Sequence, residues 1–181
     1  MVVKDITGEG MKSEIKERWA EMLREELEET AERYRDCIFA IAYHYMKNSY
    51  DADDITQNVL IKYYHNKKTL ESEEHKKNWL IRVTINECKK MLISPWRSRS
   101  QNLEDYANSL KFEEKEQSEL FLAVMELAQK YRVVVHLYYY EDYSTKEIAQ
   151  LLGIRETAVS TRLLRARNML KEKLQEVWNE E

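Results

Sequence analysis

The chain has one proline, three glycines and two cysteines in 181 residues. So few breakers and left-handed turn formers exclude an architecture of many tight turns, such as a sandwich or barrel of short strands. They favour helices, several of them long. Cys37 and Cys88 lie far apart, with no C-x-x-C pair and no Cys/His grouping. Neither a disulfide framework nor a zinc site is suggested, and both read as small core residues. The longest apolar run, Ile38 to Tyr43, is too short to cross a bilayer. MVVKDITGEGMKSEI at the start has no apolar h-region, so no secretory signal is read and a cytoplasmic location is expected. The four histidines are scattered, and there is no Gly-rich phosphate loop or nucleophile–base pair. No catalytic residue, no metal ligand, no cofactor and no small-molecule substrate are expected.

What is present is charge, at 34% of the residues, with a net of −4. Its distribution says more than its sum. Residues 1–32 carry ten acids against five bases. Residues 67–99 carry nine bases against four acids, and residues 146–173 seven against three. Two basic segments in an acidic chain are the pattern of two surfaces that meet phosphate.

STKEIAQLLGIRETAVSTRLLRARNML, Ser144 to Leu170, reads as two short helices about a tight turn. Ser144 and Glu147 have capping-box spacing, and Gly153 supplies the left-handed residue of the turn. Val159, Leu163, Ala166 and Leu170 point inward, while Arg162, Arg165, Arg167, Lys171 and Lys173 do not. The spacing of Ala149, Gly153 and Val159 fits a helix-turn-helix, which would read DNA. A helical hairpin with a solvated basic face is the plainer alternative.

Earlier in the chain, residues 1–10 read as a loose tail. Ile15, Trp19, Met22, Leu23 and Leu27 then recur at helical steps, opposite a Glu/Lys/Arg face. Such a helix packs on its own domain or docks on a partner. Asp51 opens a second helix with the buried stripe Ile55, Val59, Leu60 and Tyr63. Asp53, Asp54, Gln57, Asn58 and Lys62 form its outer polar ribbon, which charge pattern alone leaves as a solvated face. His65 to Lys77 reads as a loop. A third helix is expected from about Asn78 to Ile93, with Arg82, Asn86, Lys89 and Lys90 on one face. That face could hold DNA by phosphate contacts and stacking of unpaired bases. Residues 98–115 lack periodicity and read as a linker. Helical pattern returns from Glu119. YRVVVHLYYYEDY has strand propensity, but a lone strand would have no ladder partner, so a buried helix is expected. Residues 174–181 read as an acidic, frayed helix end. The fold class is all-α: two small helical domains on a flexible linker, the second holding the helix-turn-helix.

The order of these elements resembles bacterial RNA polymerase sigma factors of the small, two-domain extracytoplasmic-function type. YDADDITQNVLIKYY (Tyr50–Tyr64) is similar to the family's acidic D-A-x-D-hydrophobic-x-Q signature, and NWLIRVTINECKKML (Asn78–Leu92) to its W-L-x-x-I-x-x-N helix. The segment from Tyr131 to Leu174 is similar to its promoter-reading domain. The resemblance implies an acidic amphipathic extension over 1–29 and a domain over 30–97 that binds core polymerase and the −10 element. It places the linker at 98–115 and a −35-binding domain at 116–178. Asp53, Asp54, Gln57 and Asn58 would meet the clamp helices of the β′ subunit. Arg82, Asn86, Lys89 and Lys90 would engage the −10 element, where a flipped base is captured. Arg155, Glu156, Thr157, Ser160, Thr161, Arg162, Leu164 and Arg165 would face the −35 major groove, with Arg162 better suited to phosphates or intradomain pairing.

The partners implied are core RNA polymerase, through the β′ clamp helices and the β flap, promoter DNA, and an anti-sigma factor. Three departures from the family pattern carry expectations. Arg155 replaces a usual capping Ser, so Thr157 would cap the recognition helix. Ser160 replaces a common basic residue. Leu127-Ala128-Gln129 lacks the usual Leu-Pro, so that junction would be straighter. A helix-turn-helix regulator acting without polymerase would explain residues 119–174 but not the acidic signature or the second basic face. A helical protein that binds polymerase without reading DNA is a third reading.

Overall fold

The computed structural model describes residues 8–66, 70, 72–93 and 115–179, and among these it forms seven helices and no strand. They are α1 (Gly8–Met46), α2 (Ser49–Asn66), α3 (Glu73–Leu92), α4 (Lys115–Glu126), α5 (Gln129–Tyr139), α6 (Thr145–Leu152) and α7 (Glu156–Asn179). The all-α expectation holds. Residues 1–7 of the expected tail and all but Lys115 of the expected linker lie outside the described residues. Residues 8–10 of the tail are already helical.

α1 runs 39 residues without interruption, about 58 Å at 1.5 Å per residue. Nothing in it can break a helix after Gly10, so residues 8–29 of the expected extension and the residues that follow them form one rod. The rod stops at Lys47, which takes a left-handed φ of 54° and donates its N–H to Tyr43 O at 2.9 Å. Asn48 follows at once and caps α2, its Oδ1 accepting from Asp51 N at 3.0 Å. Two residues thus reverse the chain.

α3 begins earlier than the sequence suggests. Ser72 caps it, accepting from His75 N at 3.1 Å, with Glu73 and Glu74 on the first turn. The part of the expected loop from Glu73 to Lys77 is therefore helix. Its Glu- and Lys-rich character reflects partners distant in sequence: Arg33 Nη1 and the Tyr34 hydroxyl of α1 both donate to Glu73 Oε2 at 2.9 Å.

The second half corrects one further expectation. The α4–α5 junction is not straight: Ala128 has ψ 142°, and the chain turns there without a proline. The carbonyls left open at the end of α4 are taken by Arg132, whose Nη1 donates to Met125 O at 3.2 Å and Leu127 O at 2.6 Å. α7 runs to Asn179, so the expected helix end is helical as far as that residue. The strand-like segment is helical as expected, because Val133, Val134, Val135 and Leu137 of α5 are all buried.

The two halves share one core. Ile38, Ile41, Ile55, Leu80, Ile85 and Cys88 pack in the same cluster as Val134, Leu137, Ile148, Leu152, Val159 and Leu163. α1 lies against α5, and α3 against α6. Polar contacts cross the same boundary. Tyr143 Oη donates to Asn78 Oδ1 at 2.8 Å, Lys89 Nζ donates to Leu152 O at 3.1 Å, and Lys77 pairs with Glu141 at 3.1 Å. A smaller cluster of Val124, Leu127, Val135 and Ala166 ties α4, α5 and α7 together. Burial pushes both thiols up, so Cys37 and Cys88 act as packing groups, as expected. No helix among the described residues is long and apolar enough to cross a membrane.

Candidate nucleic-acid interface

The helix-turn-helix is built from locally specified parts. Ser144 Oγ accepts from Glu147 N at 3.3 Å, and Glu147 Oε2 accepts from Ser144 N at 2.9 Å, closing the capping box. Hydrogen bonds from Ser144 hold the Glu147 carboxyl below its ordinary pKa. Ile148, Ala149, Leu151 and Leu152 bury the inner face of α6. Gly153 then turns the chain at φ 69°, its N–H bonding Ala149 O. Thr145 Oγ1 donates to Glu156 Oε1 at 2.7 Å, joining the first turns of the two helices.

α7 starts at Glu156, and the Arg155 carbonyl accepts from Ala158 N at 2.9 Å. Thr157 therefore sits inside the first turn and does not cap, contrary to expectation. The helix can start early because Glu156, an acid on its first turn, suits the dipole. Val159, Leu163 and Ala166 are fully or almost fully buried, which turns the opposite face outward. Arg155, Glu156, Thr157, Ser160, Thr161, Leu164 and Arg165 are all exposed on it, and Arg162 is half-buried. Leu164 is 56% exposed, a large apolar side chain with no packing role. The hydroxyls of Ser160 and Thr161 donate back to Glu156 O at 3.2 Å and Thr157 O at 2.8 Å. Their outward offer is accordingly carbon and lone pairs. Arg167 is committed within this half: Nε donates to the Tyr139 hydroxyl at 2.7 Å, and the guanidinium lies 5.7 Å from the Tyr138 and Tyr139 rings.

On α3, Leu80, Ile81, Thr84, Ile85 and Cys88 face the core. Arg82, Asn86, Lys89 and Lys90 are exposed on the other side, on one face as the sequence pattern requires. On α2, Ile55, Thr56, Val59 and Tyr63 are buried, and Asp54, Gln57 and Asn58 are exposed. Asp53 is half-exposed and pairs with Arg35 of α1 at 3.3 Å. Lys62 of the same ribbon is held by Glu87 of α3.

Two features were not visible in the sequence. Ile61 and Tyr64, 55% and 40% exposed, continue the Gln57–Asn58 row along α2. With Leu27, Ala31 and Leu60 they border an apolar groove between α1 and α2. Their signal was an apolar residue one helical turn beyond a polar row, which a buried-stripe reading absorbs into the core. The second feature is that the two basic faces converge. Lys89 of α3 and Arg162 of α7 line one cleft, with Lys130 beside them and Tyr45, Val133 and Leu152 on its floor. Among the described residues no group of three or more His, Cys, Asp or Glu side chains is placed to hold a metal ion.

Comparison with known proteins agrees with this geometry. Residues 30–98 match the family model of sigma-70 region 2, and residues 117–170 that of sigma-70, region 4. The chain is similar to the RNA polymerase sigma-E factor of Streptomyces coelicolor, 30% identical over 156 residues, covering 82% of this chain and 86% of that protein. It is also similar to the RNA polymerase sigma factor SigV of Bacillus subtilis, 26% identical over 140 residues, covering 76% of this chain and 84% of that one. In fold it is similar to the sigma factor RpoE solved with the anti-sigma factor NepR from Bartonella quintana. That match has a TM-score of 0.64 and 19% identity, and covers 83% of this chain and 97% of that chain.

Proposed function

We propose that this chain, which belongs to the extracytoplasmic-function sigma factors of RNA polymerase, performs that role through three separate surfaces. As a sigma factor it partners core RNA polymerase and promoter DNA. The residue assignments are our own reading. Exposed Asp54, Gln57 and Asn58, with half-exposed Asp53, meet the β′ clamp helices. The apolar pair Ile61 and Tyr64 extends that contact. Arg82, Asn86, Lys89 and Lys90 hold the opened −10 strand, where phosphate contacts and a pocket for an unstacked base offset an unstacking cost of a few kcal/mol. Arg155 and Arg165 reach base edges of the −35 major groove, and Leu164 touches thymine methyls. Thr157, Ser160 and Thr161 line the same face, and Glu156 is tied to the frame by Thr145.

The observation that carries this reading is the capped helix-turn-helix: its recognition face bears exposed Arg155, Leu164 and Arg165 on a frame whose other side is fully packed. In this reading the polymerase supplies the chemistry and the chain supplies position. An anti-sigma protein that clasps both halves would hold the factor inactive; the support is analogy with RpoE bound to NepR.

The deciding experiment is transcription in vitro on fragmented genomic DNA, with core polymerase and with or without this protein. Discrete new starts sharing two upstream motifs are expected. Absence of new starts from a folded sample overturns the reading. Asp53→Arg with Asp54→Arg is expected to abolish polymerase binding while DNA binding by the second half persists.

A further inference from the structure

We propose that Lys130 and Tyr131, at the start of α5, form with Arg165 of α7 a grip for a DNA phosphate flanking the −35 element. Lys130 and Tyr131 lie outside the recognition helix and add to what that helix reads. The proposal rests on the sigma-factor reading of α7 as the −35 reader.

A cleft of about 440 Å³ opens between the start of α5 and the outer face of α7. Four cationic side chains line it: Lys130, Arg155, Arg162 and Arg165. Its other polar groups are hydroxyls, Tyr131, Thr157 and Thr161, and no carboxylate lines it among the described residues. Some bases elsewhere are paired with acids, as Arg33 is with Glu29 and Glu73, and Arg35 with Asp53. Four like charges without a carboxylate repel one another unless an anion joins them. The cleft is open rather than enclosed, and its donors come from separate elements, which suits a polymer backbone better than a small molecule. A phosphodiester oxygen accepts from Lys, Arg and hydroxyl donors alike.

Tyr131 has a defined part. Arg165 lines the cleft with it, and the Lys130 ammonium lies 5.0 Å from its ring centroid. The neighbouring Arg165 and Lys130 lower the hydroxyl pKa, so its O–H is a better donor to an oxyanion. Tyr131 is thus a phosphate donor set between two cations. Lys130 contributes a mobile charge at the cleft edge, where it also borders the cleft shared with Lys89. Both residues lie some way before the recognition helix in sequence, so no motif spacing points to them.

The test uses the full-length protein and a fluorescein-labelled duplex carrying a promoter recovered from the transcription experiment. Binding is followed by anisotropy across a range of NaCl concentrations. Lys130→Ala is expected to reduce the slope of log K against log[NaCl] by about 0.9, the value for one phosphate contact. Preference among single-base variants of the −35 element is expected to stay unchanged, and Lys130→Arg to restore the slope. Tyr131→Phe is expected to weaken binding several-fold with an unaltered melting temperature, because an exposed hydroxyl is lost and no packing. An unchanged slope for Lys130→Ala and unchanged affinity for Tyr131→Phe, with Arg165→Ala still weakening binding, would overturn the grip and leave the −35 reading intact. A wild-type protein that directs no new starts would overturn both.

Discussion

Arg132 Nε donates to the backbone carbonyl of His44 at 2.6 Å, joining residues 88 apart in sequence. His44 lies in the last turn of α1, whose final carbonyls have no partner within the helix. The same guanidinium takes Met125 O and Leu127 O at the end of α4. One side chain therefore satisfies two helix C-termini, one from each half, where the dipoles favour a cation. Arg132 is 3% exposed, and burial lowers its pKa only to about 10, so it stays charged at neutral pH.

Replacing Arg132 by Met would strand three carbonyls in the interior. A loss of about 3–5 kcal/mol is expected, the range for removing one partner from a buried charged network. Urea unfolding should show it, and should also resolve two transitions where the wild type shows one. A single transition with a small loss would mean that the halves are coupled by the other contacts across the boundary and not by Arg132.

Stability should fall with acid in two steps. His44 is buried against His136, with ring centroids 4.3 Å apart. Burial, then the neighbouring charges of His136 and Arg132, lower its pKa well below 6.5. The unfolded chain binds that proton first, so stability is full above about pH 6.5 and declines below it. Burial raises the Glu141 pKa, but the facing His136, Lys77 and Cys37 outweigh this and lower it to about 2. Its contribution is present above its ordinary value of 4.5 and is lost as the pH falls from 4.5 towards 2. His44→Gln should flatten the first decline and Glu141→Gln the second, in thermal melts taken from pH 7.5 to pH 3.

Lys89 serves the closed structure, by its bond to Leu152 O, as well as the basic face of α3. Tyr143 serves closure alone, through Asn78 and through its ring beneath Lys77 at 5.4 Å. Tyr143→Phe should cost about 1 kcal/mol. It should speed hydrogen exchange along α5 while leaving affinity for a single-stranded −10 oligonucleotide unchanged or raised. Lys89→Ala should loosen the same boundary but weaken oligonucleotide binding. Equal effects of the two variants on oligonucleotide affinity would refute a direct role for Lys89.

What the sequence made legible was local. The capping box at Ser144, the turn at Gly153 and the faces of α3 and α7 follow from spacings of a few residues, and the structure has them where the pattern put them. The helical state of α5 followed from an argument about partners, since propensity alone favoured strand. The early start of α3, the turn at Ala128 and the joint core were not legible. The first and last depend on residues far away in sequence, Arg33 and Tyr34 for Glu73 and Arg132 for His44. The turn depends on Arg132 taking the carbonyls at the α4 end, a role no spacing rule assigns. The faces we propose for polymerase and DNA were legible only as exposed faces. Convergence of Lys89 and Arg162 on one cleft was not, because it arises only when the halves pack.

Stability and recognition should separate cleanly in the helix-turn-helix. Ser144→Ala removes the acceptor for Glu147 N and should cost about 1 kcal/mol, the usual value of an N-cap side chain. Gly153→Ala meets no atom within 4 Å, so its cost is that of the left-handed backbone alone, about 1–2 kcal/mol. Both variants should lower the melting temperature and, well below it, bind promoter DNA as the wild type does, because neither alters the outer face of α7. Arg165→Ala should do the reverse, with an unchanged melting temperature and a loss of about 1–3 kcal/mol in promoter binding. If Ser144→Ala weakens DNA binding at a temperature where it is fully folded, the cap does more than hold the frame, and the Ser144 hydroxyl belongs among the DNA contacts.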